Sequence, residues 1–182
     1  MKKIAVLFLF FLYNFSSFSQ EKLILEVKIR GAKKTKISEI NKIIETKKNT
    51  VLDSTLLKTD IIRLKRLPAI SHAYFQVFYS HENKYNIFIN IEENFTIIPE
   101  FNLWTTTNNR TAYKIGLYDY NFLGRNIAFG GFYQNNGFNS YGVNFRAPTL
   151  FSRKWGISAT HQNWKSEEPL YFGDKTANYM YN

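Results

Sequence analysis

The chain has 182 residues, no cysteine, and 24 Lys or Arg against 14 Asp or Glu, giving a formal net charge of +10. Without cysteine there is no disulfide framework, no thiolate metal site and no lipid-modified N-terminal Cys. The charge raises nucleic acid or anionic lipid as partners; because the excess is spread along the chain, solubility and attraction to lipid headgroups account for it, and no nucleic acid is expected.

Lys2 and Lys3 precede an almost wholly apolar run from Ile4 to Phe15, and Ser17-Phe18-Ser19 offers small residues at the two positions a signal peptidase reads. Residues 1–19 therefore read as a signal peptide, with a mature chain starting at Gln20. A membrane anchor is the weaker reading, because a bilayer-spanning helix needs about 20 apolar residues. Export and the absence of cysteine together point to a Gram-negative envelope. Twelve Tyr, seventeen Phe and three Trp fit that compartment, since aromatic rings concentrate at membrane interfaces.

Residues 20–94 read as one small module. Leu23, Leu25, Val27 and Ile29 alternate with Ile24, Glu26, Lys28 and Arg30, the period of a strand with one buried face. Gly31 ends it. After Thr35 or Ser38, either a good N-cap, Ile37, Ile40, Ile43 and Ile44 recur at helical spacing. Asp53 or Ser54 caps a second helix, with Leu57, Ile61 and Leu64 on one face and Pro68 as its stop. Two strands follow: residues 72–80 place Ala73, Phe75, Val77 and Tyr79 inward, His81-Glu82-Asn83-Lys84 turns, and residues 85–93 place Tyr85, Ile87, Ile89 and Ile91 inward. The expected architecture is α+β, a three-stranded sheet covered on one face by two helices.

This βααββ segment resembles a POTRA domain, the periplasmic module that precedes the barrel in outer-membrane assembly proteins. The matching residues are Ile29-Arg-Gly31 followed by Lys34-Thr35, the helix from Asp60 to Leu64, Phe75-Gln-Val77, and the strand end Ile91-Glu-Glu93. The resemblance implies that the last strand is central and that strand 72–80 is an open edge. Tyr74, Gln76 and Phe78 would then stand beside Phe88 on the face away from the helices, an aromatic patch suited to a client or barrel contact.

Residues 95–182 change character. Phe95 to Thr105 reads either as a strand interrupted by Pro99 or as a linker ended by it. Tyr113, Ile115 and Leu117 then alternate with Lys114, Gly116 and Tyr118, and Ile127, Phe129, Gly131 and Tyr133 alternate with Ala128, Gly130, Phe132 and Gln134. Between these arms, residues 119–126 hold Asp119 and Asn121 to bond their own backbone and Gly124 to supply positive φ. Residues 140–146 and 154–164 supply two further strands, and a weaker one starts at Leu170. Such hairpins, apolar on one face and small or polar on the other, are the repeating unit of a membrane β-barrel.

The turn itself, with Gly116, Asp119, Asn121, Leu123, Gly124 and Arg125, resembles the first barrel hairpin of the BamA/TamA-type outer-membrane assembly factors. That resemblance implies residues 95–182 to be about the first six antiparallel strands of a transmembrane barrel. Phe95, Pro99, Phe101 and Trp104 would lie on its seam strand. Six strands cannot close a barrel, which takes at least about eight, and Tyr179-Met180-Tyr181-Asn182 lacks a terminal aromatic residue, so the chain is expected to be an incomplete product.

Catalytic chemistry finds no support. His72, His81 and His161 are scattered, the neighbours in Glu92-Glu93 and Glu167-Glu168 point to opposite faces of a strand, and no nucleophile or phosphate-binding motif occurs. Neither enzyme activity nor a cofactor or metal is expected, and Glu92-Glu93 reads as a solvated strand end. The resemblance implies an assembly or insertion factor in the outer membrane, its N-terminal module in the periplasm. Its expected partners are unfolded outer-membrane protein clients, outer-membrane lipid, and periplasmic or lipoprotein subunits. A two-partner secretion transporter, or a passive pore or anchor with a periplasmic interaction module, is the alternative.

Overall fold

A computed structural model of the chain describes residues 21–106, 109–173 and 175–181. The signal-peptide reading for residues 1–19 and the start at Gln20 lie outside the described residues. The first unit runs β1 (Leu23–Arg30), α1 (Ile37–Ile43), α2 (Ser54–Lys65), β2 (Ile70–Tyr79) and β3 (Lys84–Glu93). Its sheet has the order β1-β3-β2, with β1 parallel and β2 antiparallel to the central β3. Ile40, Ile43 and Ile44 from the first helix and Leu57, Ile61 and Leu64 from the second pack onto Ile87, Ile89 and Ile91 of β3. The core lies between the helices and this one face of the sheet, and β3 is accordingly an apolar every-other-residue strand.

Three local expectations are corrected. In β1 the register shifts between Ile24 and Glu26. That bulge sends Ile24 into the core and leaves Leu23 exposed, while Val27 and Ile29 pack inward beyond it. In β2, Ala73 is buried, but Val77 and Tyr79 are 38% and 65% exposed. The reason is length: ten-residue strands run about 33 Å, whereas the twelve-residue α2 runs about 18 Å, so the hairpin overhangs its helices. The first helix starts from Lys36 without a side-chain cap, and Ile37 is exposed. Neither Thr35 nor Ser38 caps it, because Thr35 is engaged elsewhere. For α2 the cap is Asp53, whose Oδ1 accepts from the amides of Thr55 and Leu56 at 2.7 and 3.2 Å.

The second unit is a five-stranded antiparallel meander: β4 (Ile97–Thr105), β5 (Thr111–Phe122), β6 (Ile127–Asn135), β7 (Asn139–Ala147) and β8 (Ile157–Asn163). Two further strands, β9 (Ser166–Phe172) and β10 (Lys175–Tyr181), pair only with each other among the described residues. The expected run of about six strands is thus five in one sheet plus a separate hairpin, and among the described residues the strands do not close into a barrel. Trp155 falls in the β7–β8 turn, not in a strand. The central turn is shorter than expected: β5 continues to Phe122 through a bulge after Asp119, and only residues 123–126 reverse the chain.

Strand register fixes the two faces of this sheet. Phe101, Leu103, Ile115, Leu117, Phe129, Tyr141, Val143 and Ile157 share one face, and all are exposed. Opposite them lies a polar face, where Lys114 bonds Glu100 at 2.8 Å and stands 4.5 Å from the centre of the Phe132 ring. Phe132 lies across Gly142 on the next strand, leaving no room there for a Cβ. A soluble sheet inverts this arrangement by covering its apolar face; an apolar face left open over five strands calls for lipid or a partner. Among the described residues no helix is long and apolar enough to cross a membrane.

Candidate functional site

Hydrogen-bond phase decides which strand atoms are free. Tyr120 N–H donates to Thr96 O at 3.0 Å, and Thr106 N–H to Arg110 O at 2.8 Å, at the two ends of an unbroken β4–β5 register. In an antiparallel pair the bonded residues alternate, so the even-numbered residues of β4 bond β5. The odd-numbered ones, 97 to 105, aim their backbone groups at the open edge. Pro99 is among them. Its missing N–H therefore falls on the free edge, which lets β4 run straight through a residue that would break an inner strand and removes one donor from an otherwise complete row.

The same count applies to β2, an edge strand in its own sheet. Ser80 N–H donates to Lys84 O at 2.9 Å in phase with the β2–β3 register. Ala73, Phe75, Val77 and Tyr79 then present their backbone groups outward. Tyr74, Gln76 and Phe78, with Phe88 of β3, occupy the face away from the helices. Phe78 meets Phe88 edge to face at 5.4 Å, and the Arg30 guanidinium sits 3.8 Å above the Phe88 ring. Gln76 Oε1 accepts weakly from Asn90 Nδ2 at 3.3 Å. The four residues read from the sequence as a patch are brought together, although the free backbone atoms belong to the alternate residues.

The seam residues are not one surface. Phe95 lies in the linker before β4, with Lys34 Nζ 5.4 Å from its ring centre. Phe101 and Pro99 share the apolar face, while Trp104 lies on the polar face opposite Ala112. The reading of Phe95 as a strand residue is corrected accordingly.

The hairpin motif forms a junction with the first unit. Asp119 Oδ1 accepts from the Asn121 amide at 2.9 Å and the Thr96 hydroxyl at 2.8 Å, as a turn-capping acid should. Asn121 is buried; its Oδ1 accepts from the Asn126 amide and its Nδ2 donates to Thr35 Oγ1, each at 2.9 Å. Leu123, Gly124 and Asn126 all have positive φ, of 57°, 69° and 54°. The backbone of Gly124 lies against that of Lys34, where a Cβ would collide, and its carbonyl accepts from the Lys36 amide at 2.8 Å. Gly116 is an in-strand residue across from Phe132, and Arg125 is exposed, lining a shallow hollow with Glu39 and Lys42 of the first helix.

Sequence reading missed the other half of this junction. Glu93, read as a solvated strand end, accepts from the amides of Lys33, Lys34 and Thr35 at 3.0, 2.8 and 2.7 Å. Burial pushes its carboxyl upward, but the bonds from Thr35, Lys34 and Lys33 outweigh it and hold the group below the usual glutamate range. Asp60 was likewise taken only as part of a pattern. It is fully buried and accepts from the amides of Glu45 and Thr46, the Thr46 hydroxyl and the Arg63 guanidinium, so it pins the α1–α2 loop. A signal for Glu93 existed: a carboxylate closing the central strand, with a Gly-Ala-Lys-Lys-Thr loop available to wrap it. Among the described residues no three His, Cys, Asp or Glu side chains gather as metal ligands.

No protein-family model and no curated protein matches the sequence. Solved structures do match. BamA from Haemophilus ducreyi lacking POTRA domains 1–3 superposes with a TM-score of 0.64 at 15% identity, over 79% of this chain and 28% of that one. CdiB from Acinetobacter baumannii superposes with a TM-score of 0.55 at 10% identity, over 83% and 30%. At such identity the likeness is one of fold: a mostly β chain laid out like part of an outer-membrane barrel protein. The chain spans less than a third of the length of either structure.

Proposed function

We propose that the chain works in an outer membrane as an Omp85-type assembly factor, with residues 20–94 a POTRA-like periplasmic module and β4 to β8 part of a membrane barrel. The observation that carries this reading is the open edge of β4. It is the first strand of a sheet whose apolar face is uncovered, and its outward backbone groups are interrupted only at Pro99. An unfolded client strand adding to that edge, or to the edge of β2, would gain backbone hydrogen bonds irrespective of its sequence, which is β-augmentation. The apolar face would meet lipid and the polar face the lumen. Lipoprotein or other periplasmic subunits would dock on the module; no cofactor, nucleic acid or chemical step enters the mechanism.

A secretion transporter remains as a second reading because the fold is also that of CdiB. Site-specific crosslinking tests the choice. The natural chain has no cysteine, so Phe101→Cys on β4 gives a single reactive thiol beside the edge. Disulfide capture of an unfolded barrel-protein strand bearing one cysteine supports the insertase. Capture only of a secreted passenger supports the transporter, and capture of neither leaves the passive pore.

A further inference from the structure

Beside the junction lies a cleft of about 300 Å³ between the two helices and the β7–β8 turn, lined by Ile43, Arg63, Arg66, Thr149, Arg153 and Lys154. Four cations converge there, and two carboxylates answer them. Asp60 is already occupied by the loop amides and bonds Arg63 at 2.9 Å. Glu45 lies between Arg63 and Arg153 and pairs with both. Arg66 and Lys154 have no acidic partner among the described residues. Thr149 adds a second, independent observation: its hydroxyl oxygen is buried and has no hydrogen-bond partner. Two uncompensated cations on one cleft match the oxygens of a phosphate, and the Thr149 hydroxyl, buried in the wall beside them, is a donor still without a partner.

Position selects the kind of phosphate. The turn that supplies Arg153 and Lys154 also exposes Phe151 and Trp155, at 81% and 70%, and it leads directly into Ile157 on the open apolar face of the sheet. Aromatic residues at the end of membrane strands sit at headgroup level, so the cleft opens where a lipid phosphate would lie, with apolar sheet surface below for the acyl chains. We propose that this cleft binds the headgroup phosphate of an anionic glycerophospholipid in the adjoining leaflet, clamping the module's helices to the membrane through Arg66, Lys154 and Thr149. The inference rests on the membrane reading above.

The test uses the full chain mixed with phosphatidylethanolamine vesicles containing phosphatidylglycerol, the photoreactive acyl chain being carried in one set by the phosphatidylglycerol and in the other by an equal amount of phosphatidylethanolamine. Labelling of the segment around residues 147–157 is expected only with the anionic lipid. It should fall roughly tenfold or more in Arg66→Gln/Lys154→Gln, since each cation near an anionic surface contributes on that scale. Lys58→Gln, an exposed charge elsewhere on α2, should leave it unchanged. Equal labelling of the double variant and the wild type overturns the site, as does labelling abolished by millimolar inorganic phosphate, which would mean a free-anion site. Flotation with the vesicles is scored separately. A chain that does not float sinks the membrane reading, and in that event short-chain phosphatidylglycerol in solution decides the cleft: amide shifts at Arg66 and Lys154 support it and their absence overturns it.

Discussion

Glu93 illustrates how one side chain joins strand, loop and turn. Its carboxylate holds the amides of residues 33–35, and Thr35 in turn receives Asn121 from the barrel-like hairpin. Because its folded pKa lies below the ordinary value, the stability it adds is complete above the unfolded glutamate pKa of about 4.3 and is lost as pH falls through the lowered folded value. Glu93→Gln keeps one acceptor oxygen and removes the charge. It should cost about 1 kcal/mol at neutral pH, below the range of about 1.5–3 kcal/mol for bonds to a charged group because the site is partly solvated. Urea titrations of both forms should converge in acid; a constant gap would show that the charge is not the cause. The turn makes a second residue-scale case. Gly124→Ala should cost at least about 1–2 kcal/mol for a side chain in the left-handed region, plus the collision with Lys34, whereas exposed Arg125→Ala should fall within about 0.5 kcal/mol of wild type. Both are read from denaturant midpoints, and equal effects would mean that the motif's glycine is not set by the junction.

At the scale of elements, alternation was legible wherever a strand pairs without interruption. The two faces of β5 and β6, and the buried set Ile87, Ile89 and Ile91, follow directly from a period of two. What alternation cannot carry is a one-residue slip, as at the β1 bulge, or the reach of a neighbouring helix, which leaves Val77 and Tyr79 uncovered. Nor does it distinguish a cap from a tertiary hydrogen bond, the reason Thr35 was misread. The hydrogen-bond phase of β2 yields a sharper test than its composition. Val77→Pro deletes an outward N–H and leaves the ladder to β3 intact, so the domain should fold while binding of an unfolded barrel-strand peptide weakens. Phe78→Pro deletes an inner bond and should disrupt the hairpin, by about 3 kcal/mol or more if the helical figure carries over to a ladder. In NMR titration the wild-type amides of Ala73, Phe75, Val77 and Tyr79 should move most. Shifts confined to the helices would refute edge addition.

Across the whole molecule, the two units are joined at separated points. Lys36 meets Gly124 and Thr35 meets Asn121 at one turn, while Lys42 Nζ donates to Leu150 O at 3.3 Å and Glu45 pairs with Arg153 at the next. Two attachments on neighbouring turns resist rotation about either one alone, so the edge of β2 keeps a set orientation toward the sheet. Under the proposed function, a client strand leaving the first unit would then approach β4 from one direction. The attachment at Asn121 is the more sensitive, because this buried amide serves Thr35 and the Asn126 amide together. Asn121→Ala strands both groups, a penalty of about 1–3 kcal/mol for each unsatisfied buried partner. If that bond couples the units, amide exchange at Lys36, in the other unit, should accelerate by roughly tenfold or more in the full chain, since each 1.4 kcal/mol is a factor of ten where opening limits exchange. Acceleration at Asn126 without any change at Lys36 would show the hairpin turn loosening by itself, with the bond from Lys36 to Gly124 still joining the units without help from Asn121.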